Sequence, residues 1–222
     1  MKLYHLLVLI LIPAIGISQT TPEPPGGIPR EDVPLAVVWG LSAYSGFSLP
    51  YSPDAFSEFW KPGLNLSLEA DILFRNDFLF GFSLGYSHLS FNETEFWTRL
   101  GVDNPDENIA LGEDFDIPIT QLLVSFKGIE NYLLYRYDVD WEVGTGFYNL
   151  RNTELELTYT SPYGDYRLEQ VDRLSPGIFA GLGFKYLLGE TLQLSVRGRF
   201  HHVFQRSQAH QFFDVLIGLT MI

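Results

Sequence analysis

Bulky apolar residues alternate with small or polar residues over long stretches of this sequence. In one stretch Phe78, Phe80, Phe82, Leu84 and Tyr86 alternate with Leu79, Gly81, Ser83, Gly85 and Ser87. Side chains of a β-strand point to opposite faces at every second residue, whereas a helix repeats every ~3.6 residues. The pattern therefore predicts strands that have one bulky apolar face and one small face.

Eight segments carry this alternation, two of them (118–127 and about 35–46) more weakly. The predicted strands are 34–46, 62–74, 77–91, 117–127, 135–150, 176–187, 190–202 and 211–221. Aromatic residues make up 15% of the chain and charged residues 18%, with 20 glycines. This composition favours β structure over disorder.

The small face indicates which side of the predicted sheet lies inside. An eight-stranded barrel has a cramped interior that glycine and serine suit, whereas the exterior of a soluble barrel is rich in Lys and Glu. The apolar face is therefore predicted to lie outside, in lipid. A soluble periplasmic or extracellular barrel is the alternative.

The links between the predicted strands alternate in length. Those at 75–76, 128–134 and 188–189 are short, and those at 47–61, 92–116, 151–175 and 203–210 are mostly long. Outer-membrane barrels have short periplasmic turns and longer extracellular loops. An even number of strands then places both termini on the periplasmic side.

The N-terminal segment is typical of a secretory signal. Lys2 precedes an apolar run from Leu6 to Ile17, and Gly16 and Ser18 are small residues at a cleavage site. The run is shorter than the ~20 residues that a spanning helix needs, so we expect cleavage after Ser18 over an uncleaved anchor, and no later stretch is long enough to span as a helix. The predicted organisation is a signal peptide (1–18), a proline-rich periplasmic leader (19–33) and an outer-membrane barrel (34–222).

In these features the chain resembles the small eight-stranded outer-membrane β-barrel family of Gram-negative bacteria. The resemblance implies an all-β, eight-stranded antiparallel up-and-down transmembrane barrel in the cell outer membrane. It also implies contact with outer-membrane lipids and lipopolysaccharide, and insertion by the barrel assembly machinery. One departure is the C-terminus, which ends Thr220-Met221-Ile222, whereas members of this group usually end on an aromatic residue.

Charge and cysteine content exclude several functions. The chain has 27 acidic against 14 basic residues, which argues against nucleic-acid binding. It has no cysteine, which excludes disulfides, thiolate zinc sites, a cysteine nucleophile and the lipid acceptor of a bacterial lipoprotein. No cofactor is expected.

Charged residues occupy positions on the small face. The predicted lumen network comprises Glu69, Asp71, Lys127, Asp138, Asp140, Glu142, Lys185, Arg197, Arg199 and Asp214. We expect two groups. One lies near the periplasmic end (Lys127, Asp138, Asp140 and Lys185), and the other lies nearer the outer end (Arg197, Arg199 and Asp214). Glu69 and Asp71 would reach a cation across the lumen. Because unpaired buried charges are costly, the network is interpreted as a structural plug, with a narrow gated pore as the alternative.

His88, Ser90 and Asn92 form the best catalytic candidate. They look like the His-x-Ser-Asn element of outer-membrane lipid A deacylases, which resemble serine hydrolases. One extra residue separates Ser90 from Asn92, and neither Glu93 nor Glu95 stands where that pattern requires its carboxylate. We therefore expect no enzyme, with a lipid A deacylase-like hydrolase as the alternative.

Two further regions suggest binding. His201, His202 and His210 could suggest a metal site. Adjacent residues on a strand face opposite sides, so at most one of His201 and His202 can join His210, and no metal site is expected there. Loop 92–116 carries eight acidic residues against one arginine, which favours a solvated acidic face over a weak calcium site. Residues 153–171 are predicted to form an extracellular hairpin around Pro162-Tyr163-Gly164-Asp165, a contact surface for an unknown extracellular partner. The function predicted is a structural or binding scaffold.

Overall fold

A computed structural model shows ten strands, eight of which form a barrel, and two short helices among the residues it describes. Those residues are 37–74, 78–99, 101, 115–131, 137–151, 155–157, 166–168, 172–189, 191–205 and 209–221. The strands are β1 Val37–Ser52, β2 Gly63–Phe74, β3 Phe78–Leu89, β4 Ile117–Asn131, β5 Tyr137–Arg151, β6 Leu155–Leu157, β7 Tyr166–Leu168, β8 Asp172–Leu187, β9 Leu192–Val203 and β10 His210–Met221. The helices are α1 Asp54–Phe59 and α2 Glu93–Arg99.

Eight strands close into a single barrel in the order β1-β10-β9-β8-β5-β4-β3-β2. Each pairs antiparallel with the strands before and after it along the chain, apart from the short β6 and β7. The seam between first and last strands begins with Leu41 opposite Met221 and ends with Ser52 opposite Gln211. Closure leaves no open edge among the eight barrel strands. The predicted eight-stranded antiparallel up-and-down barrel is confirmed.

Strand faces alternate as the sequence predicts. Along β3 every second side chain is buried from Phe78 to Leu89. Phe82 points outward and is 49% exposed, whereas Ser83 points inward and is 5% exposed. The bulky apolar face is therefore outside and the small face inside.

The links divide the barrel into two ends. The strand ends that flank the short links 75–77, 132–136 and 188–191 lie at one end, called the short-link end, with the start of β1 and the end of β10. The opposite end carries the connections that include α1, α2, β6 and β7 and is called the capped end. No helix among the described residues is long and apolar enough to cross a membrane.

The predicted loops 47–61 and 92–116 contain more structure than expected. β1 continues to Ser52, and α1 and α2 follow in the two links. Pro53 accepts backbone hydrogen bonds from Phe56 (2.8 Å) and Ser57 (3.0 Å). These helices form because Phe56 and the aromatic residues of α2 are buried over the barrel, and a helical turn satisfies the backbone locally. Their six to seven residues were too short for a periodicity signal.

The predicted hairpin in 153–171 is present as a two-stranded ribbon. Leu155 of β6 pairs with Leu168 of β7. The tip around Pro162-Tyr163-Gly164-Asp165 lies outside the described residues, as do residues 1–36 with the predicted signal peptide and leader. Residues 102–114, with most of the acidic residues of loop 92–116, also lie outside them.

Candidate functional site in the barrel interior

Glu69 is the centre of a buried charge cluster. Its Oε1 lies 2.5 Å from Lys127 Nζ and 2.5 Å from Arg197 Nη1. Its Oε2 contacts Arg199 Nη2. All four side chains are at most 3% exposed, so three cations from β4 and β9 converge on one carboxylate from β2.

Three further carboxylates and one lysine complete the charge cluster. Glu142 Oε1 lies 2.6 Å from Arg199 Nε. Asp71 Oδ1 lies 2.7 Å from Lys127 Nζ. Asp140 Oδ2 lies 2.8 Å from Arg197 Nη2 and 3.0 Å from Lys185 Nζ. The charge cluster therefore consists of Glu69, Asp71, Asp140, Glu142, Lys127, Lys185, Arg197 and Arg199.

Formal charges in the cluster balance, since four carboxylates face four cations. Each ionised group has an opposite charge within hydrogen-bond distance, which offsets the cost of removing it from water. A buried cluster of this kind holds strands in register but offers no free charge to a ligand.

Glycines on neighbouring strands make room for the charged side chains. A Cβ on Gly183 would overlap the Asp140 carboxylate, and one on Gly81 would lie 2.8 Å from Lys127 Cε. The charged residues themselves occupy alternate inward positions, as Glu69 and Asp71 do on β2. The period-two pattern with inward glycine thus creates the cluster locally.

The structure forms one charge cluster where the sequence predicted two groups. Lys127 of the expected periplasmic group and Arg197 of the expected outer group share Glu69. Long arginine side chains extend down the lumen, so position along a strand is a poor guide to where the guanidinium lies.

Asp138 and Asp214 lie outside the charge cluster. Asp138 is half-buried and accepts a 3.4 Å hydrogen bond from Gln193. Asp214 is the register partner of Arg199, but it does not pair with either arginine. The prediction placed it beside them because its strand is adjacent. The arginines instead reach Glu69 and Glu142.

Asp214 belongs to a second polar layer, nearer the capped end. Its Oδ1 accepts a 2.5 Å hydrogen bond from Ser48, and its Oδ2 lies 3.0 Å from His201 Nε2. His201 Nδ1 is 2.9 Å from the Tyr148 hydroxyl. Asn65, Ser87 and Gln121 extend the layer: Asn65 donates to Ser48 and Ser87, and Gln121 to Asp214.

Sequence reasoning missed this polar layer. Asn65, Ser87 and Gln121 are on the inward face of predicted strands, so their burial was foreseeable from the alternation. Ser48 was assigned to a loop because β1 was predicted to end at 46. Serine contacts Asp214 here and not His201, so the layer is not a catalytic triad.

A cluster of buried aromatic residues, the aromatic cap, lies above the polar layer at the capped end. It comprises Phe56, Trp60, Phe91, Phe96, Trp97 and Phe115, all at most 9% exposed. Trp60 Nε1 donates a 3.0 Å hydrogen bond to the Phe115 carbonyl. Trp60 and Phe91 also pair as a β-bridge, with ring centroids 5.4 Å apart. These contacts hold the two helix-bearing links together.

His88 has a carboxylate partner that the sequence did not identify. Its Nε2 lies 3.0 Å from Asp116 Oδ2, and Asp116 Oδ1 accepts a 2.8 Å hydrogen bond from the Phe91 amide. Glu93 instead accepts a hydrogen bond from Trp97 Nε1. Within the described part of the chain no hydrogen bond joins Ser90 to His88. Asp116 therefore ties the ends of β3 and β4 together, and the nucleophile–base contact of a triad is absent there.

The three histidines of the C-terminal strands do not converge. His201 faces the lumen and His202 the exterior, while the His210 ring packs edge-on against Phe56 at 5.1 Å. The described residues contain no group of three His, Asp or Glu side chains that could hold a metal ion.

Comparison with solved structures shows which known proteins have a similar fold. Neisserial surface protein A aligns with a TM-score of 0.53, at 11% identity, over 82% of this chain and 95% of that protein. The fold is that of the small outer-membrane barrels. OprG from Pseudomonas aeruginosa (TM-score 0.46, 10% identity, 82% and 94% covered) and Ail of Yersinia pestis (0.44, 12%, 82% and 98%) are also similar, but such low scores add nothing to the assignment. Neither a protein-family model nor a curated protein matches the sequence.

Proposed function

We propose that the protein is an integral outer-membrane barrel that acts as a structural or binding scaffold, without catalysis. The observation that carries this proposal is the distribution of side chains, which is the reverse of that in a soluble protein. Charges and hydroxyls fill the interior, and large apolar side chains are exposed on the outside. Only a lipid environment makes that arrangement stable.

The exposed apolar residues form a continuous belt. Every barrel strand contributes, with examples in Phe47, Leu66, Phe82, Leu122, Val143, Ile178, Val196 and Ile217, each 43–57% exposed. Apolar patches on soluble monomers rarely exceed a few hundred Å². A belt that encircles the barrel is far larger and matches the hydrocarbon core of a bilayer.

Pairs of aromatic residues lie at the border of the belt at the short-link end. Phe78 stacks on Phe126 at 4.9 Å, and Tyr137 lies 5.1 Å from Tyr186. Girdles of aromatic residues flank the apolar band of outer-membrane barrels at the membrane interfaces. These pairs support a membrane boundary at the short-link end.

The lengths of the links indicate how the barrel is oriented in the membrane. A secreted chain inserts from the periplasm with its short turns there, so the capped end faces outward. The helix-bearing links and the β6–β7 ribbon are then extracellular, and an unknown extracellular partner would bind them. Outer-membrane lipids, lipopolysaccharide and the barrel assembly machinery are the remaining proposed partners.

The contacts in the barrel interior and at its rim favour a scaffold function over a pore or a hydrolase. The neutral charge cluster, the polar layer and the aromatic cap follow one another along the lumen, so water and ions would have to displace paired charges to pass. His88 is paired with Asp116 at the rim, apart from Ser90. Both alternatives therefore need rearrangements that the described contacts oppose.

Membrane fractionation tests the proposal. The protein should sediment with outer membranes, resist carbonate extraction, and migrate faster unheated than boiled in detergent gels, because a closed hydrogen-bonded barrel resists unfolding. N-terminal sequencing of the same sample tests cleavage after Ser18. Recovery in the soluble periplasm without detergent would contradict the proposal.

A further inference from the structure

The belt contains a groove on the outward face of β4, β5, β8 and β9. Its floor is made by the small residues Thr145 and Ala180, and its walls include Phe126 and Phe200. Its volume is about 780 Å³, within the roughly 300–1,000 Å³ of ligand-binding pockets. Elsewhere the belt presents mainly large side chains, so the groove is a local depression in a lipid-facing wall.

The floor of the groove offers no hydrogen-bonding group. Thr145 has a hydroxyl, but it donates to the Gly177 carbonyl at 2.8 Å. Its methyl group and that of Ala180 are left to line the floor. An occupant is therefore held by dispersion contacts along its length, which suits a saturated or unsaturated hydrocarbon chain.

One end of the groove carries a polar group. Gln211 Nε2 lies 2.9 Å from His202 Nδ1. An amide nitrogen donates and does not accept, so this contact occupies Nδ1 and leaves Nε2 of the ring for another partner. Within the described ranges Nε2 of His202 has no hydrogen-bond acceptor. His88, the other outward imidazole described near this end, is by contrast paired with Asp116.

His202 borders the groove near the capped end. It is one residue before the end of β9 and lies between the outward residues Phe200 and Phe204. In a barrel that spans a bilayer, an N–H donor near the outer end of a strand lies close to the phosphate and ester oxygens of the membrane interface.

We propose that the groove binds one phosphorylated acyl lipid of the surrounding membrane. One acyl chain lies over Thr145 and Ala180, and a headgroup phosphate oxygen accepts a hydrogen bond from His202 Nε2. This inference rests on the proposed membrane location. It makes the outer wall a specific lipid site, in addition to general contact with the bilayer.

Native mass spectrometry of delipidated protein in dodecyl maltoside, titrated with dioleoylphosphatidylglycerol, tests the groove. We expect one saturable lipid per barrel. Ala180→Phe fills the floor and should weaken binding at least tenfold. Ala43→Phe, an exposed alanine on β1 away from the groove, is the matched control and should bind as wild type.

His202→Phe tests the headgroup contact. It should lower the affinity for dioleoylphosphatidylglycerol severalfold and leave that for dioleoylglycerol, which lacks phosphate, unchanged. His202→Gln keeps an N–H donor and should bind more tightly than His202→Phe. Equal effects on the two lipids would overturn the phosphate assignment.

Three outcomes would overturn the lipid site: no saturable lipid on wild type, equal loss in both alanine variants, or a dimer that Ala180→Phe dissociates without loss of lipid. Each variant is first checked for heat-dependent gel migration, which reports folding. A chain that inserts into vesicles but binds no saturable lipid contradicts the site alone. A chain that does not insert contradicts the proposed membrane function.

Discussion

Arg199 and Asp214 face each other in the register of β9 and β10, and their side chains belong to different polar layers. Arg199 reaches Glu142 at 2.6 Å, whereas Asp214 bonds to Ser48 at 2.5 Å. The lumen is thus divided into a charge cluster, in which every charged group has a partner of opposite charge, and a polar layer that contains one carboxylate and one imidazole.

Glu69→Gln should destabilise the barrel strongly. It removes the carboxylate shared by three buried cations, and breaking a buried ion pair costs about 3–5 kcal/mol. Urea unfolding in lipid vesicles, followed by gel migration, measures the change in the free energy of unfolding. Glu58→Gln, whose exposed partner Arg99 lies 3.8 Å away, is the control and should cost less than about 1 kcal/mol. Similar costs for both variants would contradict the role of the charge cluster.

Gly183→Ala should destabilise the barrel, whereas Gly189→Ala should be neutral. A Cβ at Gly183 overlaps the Asp140 carboxylate, whereas a Cβ at Gly189 meets nothing within 4 Å. Overpacking of this kind typically costs about 1–3 kcal/mol. The same unfolding assay compares the two variants, and a neutral Gly183→Ala would show that Asp140 can move without penalty.

Phe82→Arg should impair insertion. Phe82 is 49% exposed on the outward face of β3, where arginine at mid-membrane costs about 2–4 kcal/mol. The fraction of folded protein after refolding into vesicles measures the effect. Phe82→Leu keeps an apolar side chain and should refold nearly as wild type. If both variants refold equally well, Phe82 does not face lipid.

Wild-type protein should release no fatty acid from lipid A, and Ser90→Ala should change nothing. His88 is held by Asp116, and no hydrogen bond among the described residues connects it to Ser90. Mass spectrometry of lipid A incubated with purified protein is the measurement. Release that depends on Ser90 would establish the hydrolase alternative.

Wild-type protein should also give no single-channel steps in planar bilayers. Ion passage would require separation of pairs such as Lys127–Asp71, which lie 2.7 Å apart in the lumen. Steps of uniform size from monomeric protein would establish the pore alternative.

The barrel was predictable because its determinants are local. Alternation in β3 fixes which side chains face inward, and link lengths fix the topology. The end of β1 at Ser52 was not predictable, since Pro50 and Pro53 look like a loop in sequence. Individual pairings such as that of Asp116 with His88 could not be predicted either, because they join residues whose relative height depends on strand register and tilt.

Glu69 and Arg199 are 130 residues apart in the chain. Their contact joins an early strand to a late one, so the neutralisation of Glu69 is completed only when the wall of the barrel closes. A sheet released into the bilayer before closure would present unpaired charged side chains of the cluster to hydrocarbon. The order of assembly is therefore constrained by electrostatics: the strands must curl and seal while their inner face is still in contact with water.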